Sequence, residues 1–260
     1  MMDVWLGIDG TNWVHALYHA LRGRDVLQHL CRRARILADH LQASVTLICF
    51  DCRSFRHGLS PSYKANRLGK EEALLRLLAE APDRVAAAGQ PVYQEGFEAD
   101  DCLATLAAIA RCSQAKCVLA SADKDLFQCL VDGRVGVLRK FETAGAEVVK
   151  PSLEWMTARE LEISEKYNGL RPACWADYQA LVGEPGDNVL GCPSWGEKTA
   201  RRALGNAGSI AAMLKDPWAV NCTGKQMALL QAWAKSGAMK LALDLVTLRT
   251  DVAAVRDAIS

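Results

Sequence analysis

Three short apolar runs, each leading into carboxylates, constrain this chain more than any other feature. Val4-Trp5-Leu6-Gly7-Ile8 runs into Asp9, and Val45-Thr46-Leu47-Ile48-Cys49-Phe50 runs into Asp51. Lys116-Cys117-Val118-Leu119-Ala120-Ser121 leads to Asp123 and Asp125. Strands that are apolar on both faces belong to parallel sheets covered by helices on either side. The expectation is an α/β fold, a mostly parallel sheet flanked by helices, with the acids projecting beyond the carboxyl ends of the strands, where open α/β sheets bind ligands.

A single Asp at a strand end is ordinarily a helix cap or a turn residue. Recurrence at three strand ends is another matter, because like charges crowded into one cleft raise each other's pKa. The usual relief is a hard divalent cation with oxygen ligands. Gly96-Phe97-Glu98-Ala99-Asp100-Asp101 precedes an Ala/Leu-rich helix candidate at 102–110. A helix dipole rewards an acid in its first turn by about 0.3–1 kcal/mol, and one acid would suffice. Three acids in four positions exceed that need. Ser121-Ala122-Asp123-Lys124-Asp125 repeats the pattern, and Glu184 and Asp187 supply two more acids further on.

Four segments carry a resemblance. Glu-Ala-Asp-Asp at 98–101, Ser-Ala-Asp-Lys-Asp at 121–125, Tyr-Lys-Ala-Asn-Arg at 63–67 and Gly-Glu-Lys-Thr-Ala at 196–200 resemble, in order and spacing, the bacterial and phage 5′-nuclease family, the flap endonuclease and 5′→3′ exonuclease domains found beside or fused to DNA polymerase I. The match runs from Leu6 to about Leu204. The resemblance implies a PIN-like domain that carries metals and a smaller helical domain with a helix-hairpin-helix that grips duplex DNA. It implies two Mg²⁺ or Mn²⁺ ions: Asp9, Asp51, Glu98 and Asp100 would hold the first, Asp123 would lie near both, Asp125, Glu184 and Asp187 would serve the second, and Asp101 would act from behind the ligands. Lys64 would offset charge on the scissile phosphate, Arg67 would grip the same or a neighbouring phosphate, and Tyr63 would stack on a base. On the residues alone, the 63–67 segment reads as a solvated turn with a core-facing Tyr.

Gly191-Cys192-Pro193-Ser194-Trp195-Gly196 is a Gly-bounded turn leading into a helix whose N-terminal amides can face a phosphate. By resemblance, Gly191, Ser194, Gly196, Lys198, Thr199 and Arg201 would contact the DNA backbone, and a potassium ion would sit on backbone carbonyls of the hairpin. Ser194 stands where the family has a hairpin Gly, Glu184 where it has Asp and Gly186 where it has Ser. Glu184 keeps an oxygen ligand on a side chain one methylene longer.

The 260 residues carry a formal net charge of +1, which averages an acidic cleft against basic surfaces. Basic residues gather at Arg53, Arg56, Lys64, Arg67 and Lys70, at Lys198, Arg201 and Arg202, and at Arg22, Arg24, Arg32, Arg33 and Arg35, the last group reading as a solvated helix face. Ten scattered cysteines read as buried small hydrophobes in a reducing compartment; Cys49 and Cys52 have CxxC spacing without a second pair, and the five histidines form no ligand pattern. No apolar run reaches the roughly 18 residues of a membrane span, and the N-terminus enters a strand without a leader, so a cytoplasmic protein is expected; a monomer is expected as well.

The nuclease domain is expected over 1–164, with an arch region at 53–94, and the helical DNA-binding domain over 165–260. Val135–Arg139 and Gly145–Val149 read as an edge hairpin, and Ser152 to Tyr167 as turning helical. With no length left for a polymerase, such a chain would act on DNA with 5′ flaps, branches or ends alone, or recruit a separate polymerase. Two other readings compete. A PIN-type endoribonuclease shares the acid-lined sheet but not the 63–67 segment or the hairpin. A flap- or junction-binding protein with a decayed second metal site has Glu184 as its sole support.

Overall fold

The structure, a computed structural model, describes residues 2–67, 69, 71–142, 152–167, 169–217, 220 and 222–260. In chain order, β1 (Val4–Asp9), α1 (Gly10–Leu21), α2 (Val26–Leu41), β2 (Val45–Cys49), the single turn α3 (Arg56–Leu59), α4 (Glu72–Val85), β3 (Gln90–Val92), α5 (Ala99–Cys112) and β4 (Lys116–Ala120) come first. There follow β5 (Val135–Glu142), β6 (Ser152–Met156), α6 (Ala158–Ile163), α7 (Trp175–Val182), β7 (Gly183–Glu184) and β8 (Val189–Leu190). The chain closes with α8 (Glu197–Ala207), α9 (Ile210–Lys215), α10 (Gly224–Lys235), α11 (Ala238–Val246) and α12 (Ala253–Ala258). Two compact units result, one of residues 1–54, 69–157 and 248–260, the other of 55–68 and 158–247.

The first unit holds a six-stranded sheet of order β3-β2-β1-β4-β5-β6, parallel except for β6. Because β1 pairs with β2 on one side and β4 on the other, Gly7 lies opposite both Leu47 and Leu119, and the acid ends of the three strands fall on one edge. Leu6, Ile8, Ile48, Val118 and Ala120 pack on that sheet's one face against Val14, Leu17, Leu30, Leu37, Leu74 and Val85 of α1, α2 and α4. The other face receives α5, whose Leu103 and Leu106 are fully buried. A β-carbon on Gly7 would lie 2.6 Å from Leu103 Cδ2, so the absent side chain is what lets α5 close on β1.

The sheet and its flanking helices agree with the sequence reading, with one correction. Ser152–Met156, expected to turn helical, is β6 and pairs antiparallel with β5, from Phe141 opposite Leu153 to Val137 opposite Met156. Edge pairing satisfies the backbone of five residues too few to reveal a period of two. Of the expected hairpin, 145–149 lies outside the described residues, as does Lys70. All ten cysteines are free, and only Cys112 is exposed.

In the second unit, short helices surround an aromatic cluster in which the Tyr167 and Trp175 rings meet edge to face at 4.9 Å. Arg56, fully buried, donates from Nε to the Leu245 carbonyl at 2.8 Å and from Nη2 to that of Thr247 at 3.0 Å, satisfying acceptors at the end of α11. Gly183 and Gly191 cross where β7 meets β8: a β-carbon on Gly191 would lie 2.4 Å from the Val182 carbonyl carbon, against backbone that cannot yield. Gly191→Ala is therefore expected to cost about 3 kcal/mol, the upper end for overpacking, read as a lowered urea midpoint at constant slope. A midpoint within error of wild type would show that this crossing is loose.

Candidate metal centre

The carboxyl edge of the sheet converts strand ends into helix starts, and each start fixes an acid. Asp9 ends β1 and caps α1: its Oδ1 accepts the Asn12 N–H at 2.8 Å and its Oδ2 the Ser121 hydroxyl at 2.7 Å. Asp51 follows β2, donates its own N–H to Thr11 Oγ1 at 2.9 Å, and accepts the Ala99 N–H on Oδ1 at 2.9 Å. Glu98 caps α5 in a reciprocal box with Asp101, whose Oδ2 accepts the Glu98 N–H at 3.1 Å. Asp123 donates its N–H to Ser121 Oγ and accepts the Asp125 N–H on Oδ1 at 2.9 Å.

Within this frame Asp100, Asp123 and Asp125 each bring a carboxylate oxygen within 4.8 Å of the others. Asp100 Oδ1 is buried and has no hydrogen-bond partner. Burial first, then the charges of Asp123, Asp9, Asp125 and Asp51, push the Asp100 carboxyl well above its ordinary range. Burial, then Asp51, raise Asp9 to about 7, against the opposing hydrogen bonds from Asn12 and Ser121. A buried acceptor with no donor, set among carboxylates, fits a divalent cation with oxygen ligands.

Asp101 is the most enclosed acid of the set, fully buried, with the Arg249 N–H on its Oδ1 at 2.9 Å. It ties the 248–260 segment to α5, helped by bonds from the Val252 N–H to Thr105 Oγ1 and the Ala254 N–H to Gln94 Oε1. Both carboxylate oxygens of Asp101 thus meet backbone donors of its own unit.

Glu184 and Asp187 lie in the second unit, on β7 and in the turn after it. Asp187 is the hub of the 63–67 segment. Lys64 Nζ stands 3.7 Å from its Oδ2, Arg67 Nη2 pairs with its Oδ1, and the Tyr63 hydroxyl donates to Oδ2 at 3.4 Å. Lys64 adopts φ +56° and donates its N–H to the Asp187 carbonyl at 2.9 Å. Asn66 Nδ2 donates to the Pro185 carbonyl at 2.7 Å and Asn188 Nδ2 to that of Ser62 at 3.0 Å. The Tyr63 ring is buried, its edge against His57 and the Lys64 ammonium 4.9 Å above it.

In the turn before α8, Ser194 takes φ +63°, the left-handed conformation that Gly adopts most cheaply, and its carbonyl accepts Gln226 Nε2 at 3.3 Å. Gly196 is the N-cap of α8, and Lys198, Thr199 and Arg201 lie on its first turns. Arg201 Nη1 donates to the Lys166 carbonyl. Sequence reasoning missed Thr11 and the Arg249 backbone as supports of the acids. Ser121 lies inside the 121–125 motif, whose acids alone take roles from the resemblance, yet it binds Asp9.

Comparison with known proteins covers both units. The family model described as 5′-3′ exonuclease, N-terminal resolvase-like domain, matches residues 5–168, and the one described as 5′-3′ exonuclease, C-terminal SAM fold, matches 170–258. The thermostable DNA polymerase I of Thermus aquaticus is 34% identical over 255 residues, covering 94% of this chain and 28% of the polymerase. DNA polymerase I of Rhizobium leguminosarum is 30% identical over 264 residues, covering 94% and 24%. The chain thus spans about a quarter of these relatives' length. The T5 5′-exonuclease with bound zinc superposes with a TM-score of 0.77 at 20% identity, over 98% of this chain and 92% of that one, a likeness of fold. A bacteriophage T5 flap endonuclease in a pseudo-enzyme-product complex with DNA and metal ions gives 0.76 at the same identity and coverage.

The raised carboxyls set a pH dependence. Asp9 carries a folded pKa of about 7 against an ordinary value of about 3.9, so its contribution to metal-free stability is fully present below the ordinary value and lost as pH rises through 7. Metal-free Tm should fall between pH 5 and 8, and Mn²⁺ should restore more at pH 8 than at pH 5. Asp100→Asn should raise metal-free Tm at pH 8 by about 3 °C, roughly 1 kcal/mol, and remove most of the Mn²⁺ response. An Asp100→Asn protein that responds to Mn²⁺ as wild type does would remove Asp100 from the centre.

Proposed function

This chain belongs to the 5′-3′ exonuclease family, and we propose that it is a structure-specific 5′ nuclease of DNA, hydrolysing phosphodiesters at 5′ flaps, branches or ends. The observation that carries the reading is the acid edge of the sheet, above all the buried, undonated Asp100 Oδ1 beside Asp123 and Asp125. Family models over both units support it. A PIN-type ribonuclease accounts for the acids and leaves the 170–258 match unexplained.

The ions we assign are Mg²⁺ or Mn²⁺. Asp9, Asp51, Glu98, Asp100 and Asp123 are the residues proposed for one, and Asp125, Glu184 and Asp187 for a second on the strength of motif resemblance alone. Such ions supply a lowered pKa to water and neutralise charge on the phosphate. The chain's own contribution is placement. Backbone N–H donors at the starts of α1 and α5 hold Asp9 and Asp51, so the carboxylates need not reorganise during reaction. Lys64 and Arg67 present cations for a phosphate, which must compete for them with Asp187. We assign no protein nucleophile.

Gly191, Ser194, Gly196, Lys198, Thr199 and Arg201 are proposed to meet the duplex backbone through the N-terminus of α8. A potassium ion on the carbonyls of that turn is part of the proposal, with the Ser194 carbonyl already engaged by Gln226. The curated relatives carry this region within DNA polymerase I, which makes a DNA polymerase the partner to test. No described helix is long and apolar enough to cross a membrane, and we propose a monomer acting in the cytoplasm.

The reading is tested with a labelled 5′ flap, measuring cleavage in Mg²⁺ and binding in Ca²⁺. Wild type should cut near the junction in Mg²⁺; binding without cleavage in any divalent ion would make it a binding protein. Asp123→Asn should lower the single-turnover rate by at least about a thousandfold and leave affinity within a few-fold. Equal losses in both would make Asp123 structural. Because Mg²⁺ tolerates misplaced ligands poorly, Glu184→Asp should reach half-maximal rate at lower Mg²⁺ than wild type. Superposable titrations would detach Glu184 from ion affinity.

A further inference from the structure

A cavity of about 300 Å³ opens in the first unit beside the acid edge, between α1, α2 and the outer half of β5. Its volume is at the lower end of the range for small-molecule sites. Its chemistry differs from that of the metal centre: Trp13, Arg33, Arg139 and Lys140 line it, and among the described residues no carboxylate does. Arg139 Nη1 reaches Glu154 at 3.3 Å, and its Nε is buried without a hydrogen-bond partner. The rim touches the acid edge twice. Asn12 lines the cavity and donates its N–H to Asp9, and Ala122 lines it between Ser121 and Asp123.

We propose that this cavity is a nucleotide subsite, in which one unpaired nucleotide of the DNA strand next to the scissile phosphate stacks its base against Trp13 and sets its phosphate among Arg33, Arg139 and Lys140. The proposal rests on the reading of the chain as a DNA nuclease. A flat aromatic surface within a ring of cations is the combination that binds single-stranded nucleic acid without reading sequence. Cations also draw the anionic strand past acids that would otherwise repel it. Arg33 thereby gains a role that a solvated helix face does not give it. The subsite is one nucleotide deep, so duplex must stop at its mouth, which makes the cavity a discriminator between paired and unpaired strand beside the cut.

The experiment places 5-iododeoxyuridine at successive positions around the junction of a 5′ flap. The wild-type complex is irradiated in Ca²⁺ and the adduct located by mass spectrometry. The expected result is an adduct on Trp13 from one position or two adjacent ones. In parallel, Arg33→Gln and Lys140→Gln should each reduce the slope of log Kd against log salt by about 0.7, one phosphate contact to single strand, whereas Arg24→Gln should not. Trp13→Leu, which keeps an apolar side chain against the core, should weaken flap binding about tenfold. It should leave the Mn²⁺-induced rise in Tm unchanged, showing that the fold and the metal centre survive. If wild type cuts flaps while no position cross-links to Trp13 and the cavity variants match Arg24→Gln, the subsite is overturned and the nuclease reading stands. If wild type neither binds nor cuts flaps, both fall.

Discussion

Everything at the sheet's carboxyl edge follows from crowding carboxylates into one partly buried cleft. Desolvation and mutual repulsion raise Asp9 and Asp100, and the chain tolerates this because the same strand-to-helix transitions that create the crowding supply backbone donors. Asp9 is held at the start of α1, Asp51 by the first N–H of α5, and Asp123 by the N–H of Asp125. Asp100 Oδ1 is the buried exception, an acceptor without a donor. Such an atom costs about 1–3 kcal/mol when nothing meets it, and a cation is the partner we propose for it.

The three strand ends were legible because parallel strands buried on both faces leave continuous apolar runs, and the acids that break them stand out. The helix starting at Ala99 was legible from its composition, and the acid-rich turn before it from the surplus over what a helix dipole uses. Supports contributed from far along the chain were not. Arg249 reaches Asp101 through its backbone N–H, which any residue except proline could supply, so nothing in the side chain advertises it. Thr11 acts through its side-chain Oγ1, which accepts the Asp51 N–H, but a lone Thr in a helix start belongs to no motif. β6 was misread as helical because edge pairing with β5 decides its state.

The 63–67 segment shows two readings of one motif meeting. On its residues it is a turn with a core-facing Tyr, and Tyr63 is buried. By resemblance it is a phosphate-handling segment, and Lys64 and Arg67 converge on one carboxylate, Asp187. What the structure adds to either reading is an anion, Asp187, that the two cations share. Ser194 is the comparable departure in the other motif: a non-glycine residue held at φ +63°, where the left-handed conformation costs about 1–2 kcal/mol relative to its ordinary choices.

Whether the Asp100 carboxylate holds a divalent cation is answered by anomalous diffraction from crystals grown with Mn²⁺. The expected result is a peak in direct coordination with Asp100 Oδ1 and shared with Asp123. Density that instead shows Asp100 Oδ1 meeting a donor or water, with no ion among Asp100, Asp123 and Asp125, would contradict it.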